Sequence, residues 1–76
     1  MMYPLITLPD NTEMVYSSPR ADGTILIYVE TPIYQGFHNA SCILPSLEWQ
    51  DINGYSKEEL AHFQELIDFL KHKIIS

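Results

Sequence analysis

The chain has 76 residues, 46% of them hydrophobic, and a formal net charge of −6 from 10 acidic and 4 basic side chains. A chain this short forms one domain, spanning 1–76, whose thin core buries only about 60% of the unfolded surface. The acidity disfavours phosphate backbones and anionic lipid as partners, so neither nucleic acid nor a membrane surface is expected. The single cysteine, Cys42, excludes an intrachain disulfide and favours a reducing, cytoplasmic setting. There is no basic stretch followed by an apolar leader, and no run nears the ~18 apolar residues of a membrane span.

The first strand is expected over 3–8, where Leu5, Ile6 and Leu8 supply apolar side chains and Pro4 suggests an edge position. Pro9-Asp10-Asn11 is turn chemistry. A second strand is expected over 12–17, where alternation is imperfect. The connection over 19–23 ends in Asp22-Gly23. The third strand, over 24–31, is the strongest, because Ile25, Ile27, Tyr28 and Val29 are β-branched or aromatic. Pro32 through Gly36 reads as a hairpin loop, and a fourth strand over 37–44 returns beside the third and ends before Pro45. Residues 46–54 read as a connection packed down by Leu47, Trp49 and Ile52.

The helix over 57–75 has the clearest signals. Ser56 and Glu59 form a capping box, and Tyr55 and Leu60 are placed as a hydrophobic staple. Glu58 and Glu59 lie at the positive end of the helix dipole, and Lys71, His72 and Lys73 at the negative end. Leu60, Phe63, Ile67, Leu70 and Ile74 recur at helical spacing as one apolar stripe. At ~1.5 Å per residue the helix is roughly 28 Å long, enough to cross a small sheet. The expected fold is therefore α+β: a four-stranded antiparallel meander with one C-terminal helix packed on one face.

Placing Thr31 opposite Phe37 sets a register in which Glu30 faces His38, Tyr28 faces Ala40 and Leu26 faces Cys42. One sheet face then carries Ile25, Ile27, Val29, Phe37 and Ile43, and the other carries Leu26, Tyr28, Ala40, Cys42 and Leu44. A single helix covers one face only. The second face is expected to meet a second copy of the chain or another protein, or else to be covered by Trp49 and its connection. Leu26, Tyr28, Ala40 and Cys42 are the candidate interface residues. Tyr34 at the hairpin tip, and Leu66 with Phe69 off the helix stripe, are further candidates.

Catalytic constellations are sparse. His38 and Cys42 sit four apart on one strand, roughly 13 Å at ~3.3 Å per residue, too far for a thiol and its base. Cys42 reads instead as a small apolar filler. Glu30 opposite His38 could serve as an acid–base pair or as an ordinary cross-strand contact. His38, His62, His72 and Cys42 lack metal-ligand spacing, and Gly23, Gly36 and Gly54 each stand alone, so no metal, cofactor or phosphate loop is expected.

Two functions remain open. The first is a small acidic, non-enzymatic interaction or accessory domain, binding itself or another protein, with a homodimer as one form. The alternative is a small ligand-binding or catalytic domain that uses Glu30 and His38 with tyrosines at a dimer interface. An acidic decoy of nucleic acid, carried by Glu48, Asp51, Glu58, Glu59, Glu65 and Asp68, is a weaker third.

Overall fold

The computed structural model describes residues 2–75, so the two ends of the expected 1–76 domain lie outside the described residues. It is α+β, an antiparallel meander followed by one helix. The sheet has five strands: β1 (Met2–Thr7), β2 (Glu13–Ser17), β3 (Ile25–Ile33), β4 (Gly36–Leu44) and β5 (Glu48–Asn53), in the spatial order β1-β2-β3-β4-β5. The helix α1 spans Lys57–Ile75. Each strand pairs with the one before it because every connection is short.

The expectation of four strands is corrected here. Residues 48–53 are not a packed-down connection but a fifth strand, paired with β4 through Ser41 opposite Gln50 and Cys42 opposite Trp49. The strand was hidden because Glu48, Gln50 and Asp51 dilute its apolar pattern. It is also bulged: two steps along β4, from Asn39 to Ser41, match three along β5, from Asn53 to Gln50, and Asp51 there has φ +54.

The hairpin register is also corrected. Ile33 pairs with Gly36, which leaves a two-residue turn at Tyr34-Gln35 in place of a loop over 32–36. Every partner therefore shifts by one. Thr31 faces His38, Glu30 faces Asn39, Val29 faces Ala40, Tyr28 faces Ser41, Ile27 faces Cys42 and Leu26 faces Ile43. Pro32 remains inside β3, opposite Phe37. Pairing with β2 ends at Glu30, so one side of β3 has no neighbour beyond that point and tolerates a proline.

This register sorts the side chains. Ile25, Ile27 and Val29 from β3 join Ala40, Cys42 and Leu44 from β4 and Met14 from β2, all buried. Phe63, Ile67 and Leu70 of α1 are buried above them, with Leu60, Leu66 and Ile74 half-buried at the margin. The expected helix stripe is the core. At about 25 cal/mol per Å² of apolar area, each fully buried aliphatic side chain contributes roughly 1.5–3 kcal/mol. The cap forms as the sequence specifies: the Glu59 amide donates to Ser56 Oγ at 3.1 Å, and the Ser56 amide to Glu59 Oε1 at 3.0 Å. Among the described residues no helix is long and apolar enough to cross a membrane.

Candidate interaction surface

Every second residue of β2, β3 and β4 points away from the helix. Val15, Tyr28 and Ser41 form one row across this open face, and Gln50 continues it on β5. Leu26, Ile43 and Glu48 form the next row. Glu13, Glu30, Asn39 and Asn53 form a third, and Pro32 with Phe37 a fourth beside the hairpin tip. Val15, Leu26, Tyr28 and Ile43 are only half-buried, and Phe37 is 53% exposed. Among the described residues none folds across them. Trp49, one possible cover, lies on the helix side: its Nε1 donates to Gln64 Oε1 at 3.3 Å and pins the β5 edge to α1.

A polar row crosses the open face between Tyr28 and Pro32. The Tyr28 hydroxyl donates to Glu30 Oε1 at 3.1 Å. Burial and the adjacent Glu30 carboxylate raise the Tyr28 pKa above its ordinary value, so the phenol remains a donor at neutral pH. Glu13 lies directly opposite Glu30, a like-charge pair across two strands. No Lys or Arg lies on any strand: Arg20 is in the β2–β3 connection, and Lys57, Lys71 and Lys73 are on α1.

The candidate residues from the sequence separate in space. Leu26 and Tyr28 share the open face. Ala40 and Cys42 do not, because the register shift turns them under the helix at 1% and 0% exposure. Tyr34 stands at the β3–β4 tip, 98% exposed. Leu66 and Phe69 are on the helix, on the far side of the sheet from Leu26; Leu66 packs at the core margin, and Phe69 is 74% exposed. Val15, Ile43, Pro32 and Phe37 were absent from the sequence-derived set and belong to the open face. A two-residue turn closed by Gly36 was the signal that would have found Ile43 and Phe37, because it fixes the parity of β4.

Glu30 and His38 point to opposite faces, so they form no acid–base pair. His38 packs its ring edge-on to Tyr55, with centroids 5.6 Å apart. Cys42 is sealed in the core, where burial pushes its thiol pKa up to about 11, opposite to what a nucleophile needs.

A groove of about 460 Å³ separates the β1–β2 turn from the first turns of α1, lined by Leu8, Pro9, Asp10, Glu58, His62 and Phe63. Its Asp10 carboxylate accepts from the Thr12 amide at 3.0 Å, and hydrogen bonds from Thr12 hold its pKa below the ordinary value. Among the described residues no three of His, Cys, Asp and Glu converge to hold a metal ion. The groove brings carboxylates and an imidazole to the head of α1, and the open sheet face presents apolar side chains outward. Comparison with known protein families, curated proteins and solved structures finds no match for this chain.

Proposed function

We propose that this chain is a small, acidic, non-enzymatic interaction domain that acts in the cytoplasm as an accessory or regulatory factor, and that it binds protein through the open face of its sheet. One observation carries the proposal. Val15, Leu26, Tyr28, Ile43, Pro32 and Phe37 line a sheet face that, among the described residues, no element covers. A sheet that meets water on one side ordinarily alternates apolar-in with polar-out, and apolar side chains grouped on the outward face mark a contact. The lone, inert Cys42 fits a reducing compartment.

Photocrosslinking in cells tests this reading. A benzoylphenylalanine at Tyr28 retains an aromatic ring at the centre of the face, with circular dichroism as the folding control. It should yield a discrete protein adduct, while the same group at Glu65, on the exposed surface of α1, should yield none. Absence of any adduct from position 28, and likewise from position 26, overturns the reading.

A further inference from the structure

The open face also carries information about its occupant. We infer that it receives a basic amphipathic helix of a partner protein, one whose apolar stripe is flanked by Lys or Arg, and not a second copy of this chain. The inference rests on the proposed use of the open face and adds the chemistry of what binds there.

Charge is the first argument. Glu13, Glu30 and Glu48 point out from this face, and none of the four Lys and Arg residues lies on the sheet. Packing two such faces together sums only like charges, on chains that each carry −6. Glu13 and Glu30 already oppose each other across β2 and β3. A guanidinium or ammonium between them would relieve that repulsion, with Asn39 and Asn53 continuing the row as neutral hydrogen-bonding groups.

Size is the second argument. The apolar side chains of the face lie on β2, β3 and β4, about 10 Å across at about 4.8 Å spacing, and the run from Leu26 to Pro32 is about 20 Å long at ~3.3 Å per residue. The projected area is roughly 200 Å², a small part of the ~800 Å² that each partner gives to a standard interface. That is small for a stable dimer. It matches a helix about 10 Å in diameter laid along β3 and β4.

The edges supply the third argument. β1 carries Pro4 and a register shift between Pro4 and Ile6, and β5 carries the bulge at Asp51. Both outer strands are broken as templates for an added strand, so a partner is directed to the face and away from the rim.

The test uses synthetic peptides of 18 residues with a Leu stripe flanked by Lys, or by Glu, each labelled and titrated with the folded protein at physiological salt. The Leu–Lys peptide should bind wild type at least tenfold more tightly than the Leu–Glu peptide. Glu13→Gln with Glu30→Gln should weaken it about tenfold. Glu58→Gln with Glu65→Gln, which removes the same charge from the helix surface, should change it by less than twofold. Equal losses in the two double variants would mean that bulk charge alone attracts the peptide, and would overturn the inference. So would failure of the Leu–Lys peptide to bind, or a crosslink from Tyr28 at twice the mass of the chain. That last result would leave the interaction reading intact and name a second copy as the occupant, whereas loss of all crosslinks would remove the reading itself.

Discussion

The Thr31 hydroxyl lies 2.7 Å from the phenol oxygen of Tyr55, and this contact is the central link of a part-buried hydrogen-bond chain. Tyr55 has one proton, and it donates that proton to the His38 carbonyl at 3.2 Å. The Thr12 hydroxyl lies 2.6 Å from that of Thr31 and extends the chain. Thr12 is fully buried, and the chain ties the β1–β2 turn, β3, β4 and the residue before the helix cap together. Tyr55→Phe removes the last donor but retains the edge-on packing against Phe63 at 5.0 Å. The expected cost is about 1–3 kcal/mol, because the His38 carbonyl and the Thr31 hydroxyl both lose a partner in a poorly hydrated place. Chemical denaturation of the two proteins measures it.

Gly54 lies against the His38 ring, with φ +95. A Cβ at that position would overlap the ring, so Gly54→Ala meets a steric obstacle as well as an unfavourable backbone conformation. The substitution should cost more than ~2 kcal/mol, since conformational strain alone is about 1 kcal/mol. In a His38→Ala background the added cost should fall to the conformational part. A double-mutant cycle reads the difference, and strict additivity would show that the ring is not the obstacle.

The capping box should matter to the whole domain. Ser56→Ala with Glu59→Ala leaves two helix-end amides without the partners they have at 3.0 and 3.1 Å. A loss of roughly 1–2 kcal/mol is expected, and the denaturation midpoint of the double variant tests it. An unchanged midpoint would mean that the helix does not depend on its first turn.

Alkaline pH should weaken the fold. Burial raises the Cys42 thiol pKa from 9.0 to about 11, and burial also raises Tyr55 and Tyr28 above 10.0. A raised pKa in the fold means that the protonated form is the one stabilised. That stability is fully present below the unfolded values and is lost as pH climbs from about 9 through 11. For Cys42 the change corresponds to roughly 3 kcal/mol at about 1.4 kcal/mol per tenfold. Stability measured from pH 8 to 11 should fall, and Cys42→Ala should make the fall shallower. In the native state at pH 8 the thiol should also resist an aromatic disulfide reagent that labels it promptly once denaturant is added.

The helix was legible in the sequence because its signals are local. The Ser56–Glu59 box, the dipole-matched ends and the stripe from Leu60 to Ile74 all lie within a few residues of one another, and the structure places α1 at Lys57–Ile75. The order of the first four strands was legible for the same reason. Register was not, because it depends on whether the β3–β4 turn holds an even or an odd number of residues. Pro32 and Gly36 bracket either choice; the structure closes the turn at Ile33 and Gly36, and one residue of slip moved Ala40 and Cys42 to the other face. β5 was missed because its pattern is polar and bulged, and its pairing depends on β4, which no local signal reports. The open face was therefore half visible: Leu26 and Tyr28 lie on β3, whose parity does not depend on the turn, whereas Val15 and Ile43 needed the register of their neighbours.

The two registers make opposite forecasts for one pair of substitutions. On the sequence-derived register Leu26 and Ala40 share a face, so a charge at either should act alike. In the structure Ala40 is 1% exposed and lies in the core cluster with Phe63 and Ile67, while Leu26 is half-buried on the open face. A carboxylate at Ala40 would be desolvated without a partner, and the cost of several kcal/mol would consume most of the ~5–15 kcal/mol that holds a small domain together. Ala40→Glu should therefore unfold the protein. Leu26→Glu puts its charge into water, so it should keep the far-ultraviolet dichroism of wild type and a melting temperature within several degrees of it. The same variant places a fourth carboxylate where the partner's apolar stripe must lie, so it should abolish the Tyr28 crosslink while folded. A folded Ala40→Glu would restore the register read from the sequence, and a Leu26→Glu that crosslinks like wild type would move the contact off this face.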